Sequence, residues 1–417
     1  MGQIFFAPGE TVERLNCRTI LAGTINGWLT AGPAKGEKRI MPKLTFFPLG
    51  NADCCRIDLV NGEKLLFDYA DTRCRDDKDD KRVDLPAELR KDLNATGRKY
   101  YDIVAFSHLD QDHTCGSTEF FYLEHDKKYQ SDERIKMNEM WVPAAVIIEA
   151  HDTLGEEHKI IQKEARHRLR NKKGIRVFSR PGLLKDWLEG EGMTVDEVCH
   201  LITDAGQVVP GFTREEHGVE FFAHSPFAKR INECEVVDRN SDSLVLQATF
   251  EDYGTETRLI LSADAPHEIL GEIVDITRQH KREERLEWDV FKLPHHCSYL
   301  SLGPEKGKDK TEPGPNVKWL FEDRSHQGGI IVSTSNPIPN EDTDQPPHRQ
   351  AANYHKDNIA DKGGEFRVTM EFPMTSKPEP MVIEIGSSGA KVVKRTTGGA
   401  ASATGGPAPR AGADDDE

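Results

Sequence analysis

The chain has 417 residues, of which 36% are hydrophobic and 30% charged, and its 71 acidic against 55 basic side chains leave a formal net charge of −16. A globular protein with polar loops fits these numbers, whereas a polyanion-binding surface over the whole molecule does not: nucleic acid or an anionic membrane would be repelled except at a local basic patch or a bound cation. No stretch reaches the roughly 20 apolar residues that a membrane span needs, and the eight cysteines contain no CxxC pair, which points away from a disulfide scaffold and towards a reducing, cytoplasmic setting.

Residues 1–40 have weak periodicity and are expected to form an N-terminal extension. A sharper pattern begins at Met41. Lys43–Phe47 is a predicted strand, Cys54–Val60 alternates up to the turn at Asn61-Gly62, and Lys64–Asp68 completes a hairpin. The charged stretch Cys74–Arg82 is expected as a surface loop, and Leu85–Leu93 as a short helix. Asp102–Phe106 is an apolar strand that delivers Ser107 and His108 at its C-terminal end. Trp141–Ile148 is predicted as another strand. Residues 150–215 are polar and helical in pattern, and are expected as an insertion. Within it, Lys159, Lys163, Arg166, Arg168, Arg170, Lys172, Lys173 and Arg176 fall within about five helical turns.

Strand signals resume at Val219–Ala223, Ser243–Phe250, Arg258–Ser262, Val290–Leu293 and Ile330–Ser333, and end with Phe366–Phe372 and Met381–Ile385. Residues 396–417 are Gly, Ala, Pro and Asp, a composition expected to be disordered. Strands at both ends with helices between them predict a layered α/β domain over 41–395.

One heptapeptide carries the chemistry. Ser107-His108-Leu109-Asp110-Gln111-Asp112-His113 places four potential ligands within six residues, and imidazole with carboxylate suits a borderline or hard divalent cation such as Zn²⁺ or Mn²⁺. In isolation such a segment also fits a polar helix start capped by Asp. Three companions weigh against that. Asp68 follows the apolar Leu65-Leu66-Phe67, Asp264 follows Leu259-Ile260-Leu261-Ser262-Ala263, and His295 and His296 follow Val290–Leu293. An Asp after a strand is usually a turn former; four such groups at strand ends, in this order, form a constellation.

The order of motifs resembles the metallo-β-lactamase superfamily, and most of all the branch found as the soluble domain of competence DNA-uptake proteins of the ComEC type. That branch reads DVGQGD, IDxG, SHxDxDHxGG, NNxSLVL, a strand ending in GD, and PHHGS. Here the corresponding segments are Pro48–Asp53, Phe67–Ala70, Ser107–Gly116, Asn240–Leu246, Ser262–Asp264 and Pro294–Ser298. Two departures stand out: Ala70 and Cys297 replace glycines, and the Cys297 thiol is a possible ligand or poison of the site as well as a packing residue.

The resemblance implies a four-layered αββα sandwich binding two divalent metal ions. His108 and Asp110 would serve one ion, Asp112 and His113 the other, with Asp264 bridging and His296 completing the second. Asp112 and His295 are expected to take part in the chemistry, His295 by contacting substrate or protonating the leaving group, and Asp68 to orient a ligand from behind. The family's middle ligand has no obvious counterpart; Asn240 and His224 are candidates, His151 a weaker one. The implied activity is hydrolysis of a DNA phosphodiester through a metal-activated water, with Lys172, Lys173, Arg176 and Ser298 as substrate contacts. The alternatives are a small-molecule (nucleotide) phosphodiesterase, or a non-catalytic interaction protein that kept the fold. No membrane partner is expected; a protein partner from a defence or mobile-element operon is.

Overall fold

The computed structural model describes residues 41–229 and 238–393; the N-terminal extension and the tail from 396 lie outside the described residues. In chain order the strands are β1 (Lys43–Phe46), β2 (Cys55–Asp58), β3 (Lys64–Phe67), β4 (Tyr100–Ala105), β5 (Lys136–Pro143), β6 (Ile175–Phe178), β7 (Ile202–Thr203), β8 (Val219–Ser225), β9 (Val245–Asp252), β10 (Thr255–Leu261), β11 (Trp288–Lys292), β12 (Ser325–Ser333), β13 (Glu365–Val368), β14 (Met381–Gly386) and β15 (Gly389–Val392). They form a nine-stranded sheet, ordered β15-β14-β1-β2-β3-β4-β5-β6-β7, and a six-stranded sheet, ordered β13-β12-β11-β10-β9-β8. The longer helices are α1 (Leu85–Ala95), α2 (Glu156–Arg170), α3 (Gly182–Gly190), α4 (His267–Gln279), α5 (Pro315–Glu322) and α6 (Arg349–Ala360).

The layers follow from where alternate side chains go. Leu65, Phe67, Ile103, Ala105 and Trp141 of the first sheet pack against Phe221, Leu246, Ala248, Leu259 and Val290 of the second, and form the core between the sheets. The opposite faces are apolar as well. Leu66, Val104, Val142 and Val177 meet Leu89 of α1, Ile161 and Leu169 of α2 and Leu188 of α3, while Ile260, Phe291 and Ile331 meet Ile273 of α4, Leu320 of α5 and Ala352 of α6. Strands buried on both faces read as continuous apolar runs instead of alternating ones. The result is helix, sheet, sheet, helix: the αββα sandwich.

Neighbours from β3 to β7, and from β10 to β13, are parallel. Their C-terminal ends therefore lie along a common edge, where loops in open parallel sheets hold ligands.

Two expectations are corrected. Trp141–Ile148 is not one strand: β5 ends at Pro143, and Ala144–Ile148 is a short helix. Pro143 has no amide hydrogen to give to a ladder, and it opens a helix readily. The 150–215 region is also more than a helical insertion, because β6 and β7 extend the first sheet from within it. The basic run is divided accordingly. Its helix stops at Arg170, Lys172 turns the chain at φ +53°, and Arg176 lies buried in β6.

α2 carries a buried ion pair whose two members also bond to neighbouring segments. Arg168 Nε donates to Glu164 Oε1 at 2.7 Å, with both side chains at most 2% exposed. The guanidinium also donates to the carbonyls of Met137 and Gly174, and Glu164 accepts from the amide and ring of His125. Burial pushes the Glu164 carboxyl up, but His125 and Arg168 outweigh it and hold it down at about 2. Removing one partner strands the other charge, so Arg168→Ala is expected to cost about 3–5 kcal/mol in urea unfolding. The Glu164 pKa is depressed on folding, so its stabilisation is complete above its ordinary value of 4.5 and fades as pH falls towards 2. The wild type should lose stability across that window, with a shallower slope in Arg168→Ala.

Candidate metal centre

The loops after β3, β4, β10 and β11 meet at the shared edge. Asp53 N donates to Asp112 O at 2.9 Å and Leu244 N to Ser107 O at 3.0 Å, which clamps the His108–His113 loop from two sides. Ligand atoms of Asp112, His113, Asp264 and His296 all lie within 4.8 Å of one another. His113 Nε2 is 3.1 Å from Asp264 Oδ1, and His296 Nε2 is 2.9 Å from Asp112 Oδ2. His113, Asp264 and His296 are buried, while the Asp112 side chain is 34% exposed and marks the open side.

Each histidine is aimed from behind. His113 Nδ1 donates to Asp68 Oδ2 at 2.9 Å, and His296 Nδ1 to the Thr334 carbonyl at 2.7 Å. His108 Nδ1 lies 3.1 Å from Ser107 Oγ, whose own hydrogen goes to Asp68 Oδ2 at 2.7 Å. A histidine held through Nδ1 turns Nε2 towards the site, which is how protein ligands are oriented around a metal. His108 Nε2 is buried without a hydrogen-bond partner, and His113 Nε2 faces only Asp264. A buried polar atom in that state is costly unless something else binds it. Two imidazoles and two carboxylates at this spacing fit a divalent cation such as Zn²⁺ or Mn²⁺.

The charges are strongly perturbed. Burial pulls the His113 ring down, but Asp264 and Asp68 override it and hold it well above the ordinary imidazole range; Asp264 is correspondingly held far below the carboxylate range. Asp112 sits at about 2, its burial outweighed by His296 and His113. Beneath them, the fully buried Lys292 ammonium donates to Asp53 and to the Ala263 carbonyl. Asp53, Asp68 and His113 form a second converging group; Lys292 takes Asp53 Oδ2 and Ser107 donates to both Asp68 oxygens, so this group braces the first.

The remaining expected residues divide. His108 and Asp110 are adjacent, Nε2 to Oδ2 at 3.5 Å, yet Asp110 Oδ1 accepts a bond from Arg239 at 2.8 Å. Asn240 follows Arg239 in the chain, its Oδ1 buried without a partner. His224 is elsewhere: it sits on β8, fully buried, and its Nε2 donates to the Arg285 carbonyl at 2.9 Å. The side chain of His151 lies outside what the structure describes. His295 borders the opening, its amide 3.2 Å from Asp264 Oδ1. Cys297 is no ligand: it packs in the core of the second sheet, and burial pushes its thiol up to about 12.

The expected substrate contacts do not gather at the opening. Ser298 is buried and its hydroxyl accepts the Leu300 amide. Lys172 pairs with Glu197 at 2.9 Å, and Arg176 is buried against Glu139 and Thr203. Lys173 faces a separate cleft lined by Tyr122, Gln130 and Lys136. Sequence reasoning also missed two elements of the site. One is Lys292, whose only local signal is a lysine inside the apolar run Val290-Phe291-Lys292-Leu293. The other is Arg239 with Glu149, for which there was none.

No family model matches the chain, and no curated protein matches it. Among solved structures it is similar to a diphosphatase of the PhnP family, at 10% identity over 75% of this chain and 94% of that one, TM-score 0.28. It is also similar to the metallo-β-lactamase GOB-18 from Elizabethkingia meningoseptica, at 11% identity over 71% of this chain and 91% of that one, TM-score 0.28. A third is the FEZ-1 metallo-β-lactamase from Legionella gormanii, at 14% identity over 52% of this chain and 62% of that one, TM-score 0.22. These are distant likenesses, and the reading of the site rests on its own residues.

Because Asp68 orients His113, Asp68→Asn should weaken zinc binding by about 10–100-fold in competition with a chromophoric chelator. Unchanged affinity would show that the carboxylate does not tune the ligand.

Proposed function

We propose that the chain is a metal-dependent hydrolase of the metallo-β-lactamase superfamily that cleaves phosphodiesters. The observation that carries this reading is the convergence of Asp112, His113, Asp264 and His296, with both imidazoles oriented through Nδ1. Asp112, His113, Asp264 and His296 would hold a divalent cation, which would supply Lewis acidity for activating water and for offsetting charge on phosphoryl oxygens. The protein's part is to hold the ligands rigid and to keep one side open. Asp112 bridges these tasks, bonded to His296 yet one-third exposed. His295 stands beside it with a half-buried ring that makes no hydrogen bond to a described residue, suited to contact the leaving oxygen.

A compact phosphodiester, such as a nucleotide, fits better than a DNA track. Half of the basic run that would follow a nucleic-acid backbone is engaged within the fold: Arg168 with Glu164, Arg170 with Glu191, Lys172 with Glu197 and Arg176 with Glu139. A surface whose cations are paired has little to offer a polyphosphate. The assignment to the competence-type branch rests on motif order alone.

The test is metal content together with cleavage of bis-p-nitrophenyl phosphate, single-stranded DNA and duplex DNA, after loading with Zn²⁺ or Mn²⁺. The small diester is expected to be cleaved, and Asp112→Ala and Asp264→Ala to lose at least about 100-fold of the rate. Cleavage of DNA in preference to the small diester would restore the nuclease reading. Absence of bound metal, or full activity in both variants, would remove the hydrolase reading.

A further inference from the structure

The two halves of the centre are not equivalent, and the difference lies in Arg239. Its guanidinium is anchored by Glu149, with Nε at 2.9 and 3.1 Å from the two carboxylate oxygens and an Nη2 at 2.7 Å. The same Nη2 donates to the Thr153 carbonyl at 3.2 Å, and Nη1 donates to Asp110 Oδ1 at 2.8 Å. Glu149 is itself fixed, 6% exposed and bonded by the Thr153 hydroxyl at 3.1 Å. The guanidinium is thus locked in place before it reaches Asp110.

Set against the four converging ligands, the His108 half offers less: the buried His108 Nε2 has no partner, and its one carboxylate neighbour, Asp110, is 3.5 Å away and held by Arg239. Among the described residues His108 and Asp110 belong to no group of three or more metal-binding side chains. A divalent cation there would share the Asp110 carboxylate with the guanidinium that already holds its Oδ1, and would stand next to that charge. His224, the one histidine among the middle-ligand candidates that is placed, is buried on the far face of β8.

We infer that this is a one-cation centre: Asp112, His113, Asp264 and His296 take the metal, and the Arg239 guanidinium, held by Glu149, occupies Asp110 in place of a second ion. This departs from the two ions that the family resemblance implies, and it rests on the proposed function only in requiring that the four-ligand site binds metal. Arg239 is a positioning residue for Asp110, and its charge replaces that of the missing cation.

The experiment counts metal. The full chain, stripped with chelator, is titrated with Zn²⁺ by calorimetry, and bound zinc is counted by mass spectrometry after desalting. Wild type is run beside Asp110→Asn, Arg239→Ala and Asp264→Ala, with circular dichroism to confirm folding. The expected result is one equivalent in wild type and in Asp110→Asn, none in Asp264→Ala, and a second, weaker equivalent in Arg239→Ala, where Asp110 and Glu149 are released. Two equivalents in wild type, falling to one in Asp110→Asn, would overturn the inference and leave the hydrolase reading intact. One equivalent in both wild type and Arg239→Ala would overturn the role given to Arg239. None in wild type would overturn the proposed function, and this inference with it.

Discussion

The Asp68 carboxylate receives the Ser107 amide on one oxygen, and the Ser107 hydroxyl and the His113 ring on the other, at 2.7, 2.7 and 2.9 Å. Through these bonds a residue at the end of β3 sets the start of the His108–His113 loop at the end of β4, and the direction of one ligand. The junction is buried, so each bond forms in a low-dielectric setting where an unmatched group would be expensive. It also explains why the ligand loop needs no long helix to support it: the segment Gln111–Thr114 is a single turn. Moving the Asp68 side chain would release His113, and with it the contact to Asp264.

Backbone strain is concentrated at the same edge. Asp68, Ala263, His295, His296 and Cys297 all have φ between +44° and +67°, although none is glycine. Each left-handed residue of this kind costs on the order of 1–3 kcal/mol and persists only where its surroundings enforce it. Cys297, at φ +67°, stands where the resembled motif has glycine, and its side chain fits because it is small and turns into the core. The three consecutive left-handed residues swing His296 back under the site while leaving His295 at the opening. Electrostatics follows the same economy. Lys292 serves Asp53 from beneath and Arg239 serves Asp110 from the side, so the acidic loops have fixed cations on two flanks and an opening towards solvent on the third.

Much of this was legible in the sequence because it is local. The HxDxDH heptapeptide, the Asp after β3, the Asp after β10 and the His pair after β11 each sit at the end of an apolar run, and parallel strands put such ends on one edge. A layered α/β fold follows from the same runs, and the αββα order from the family resemblance. What was not legible depends on partners far apart in sequence. The pairing of Arg239 with Glu149, 90 residues away, and of Lys292 with Asp53, 239 residues away, leaves no periodic trace. The basic segment misled for the same reason. Its cations looked like a solvent-facing track until their partners, Glu191, Glu197 and Glu139, came from other elements. His224 and Asn240 were both candidates for the middle ligand by sequence; the pleat of β8 turns His224 towards the Arg285 carbonyl, away from the site.

The central claim is that four named side chains make one metal centre. Anomalous diffraction at the zinc edge from zinc-loaded crystals tests it most directly. The account predicts a single strong peak within bonding distance of Asp112, His113, Asp264 and His296, with Arg239 still on Asp110. A peak elsewhere, or a pair of peaks with Arg239 displaced and Asp110 bound to the second, would contradict it.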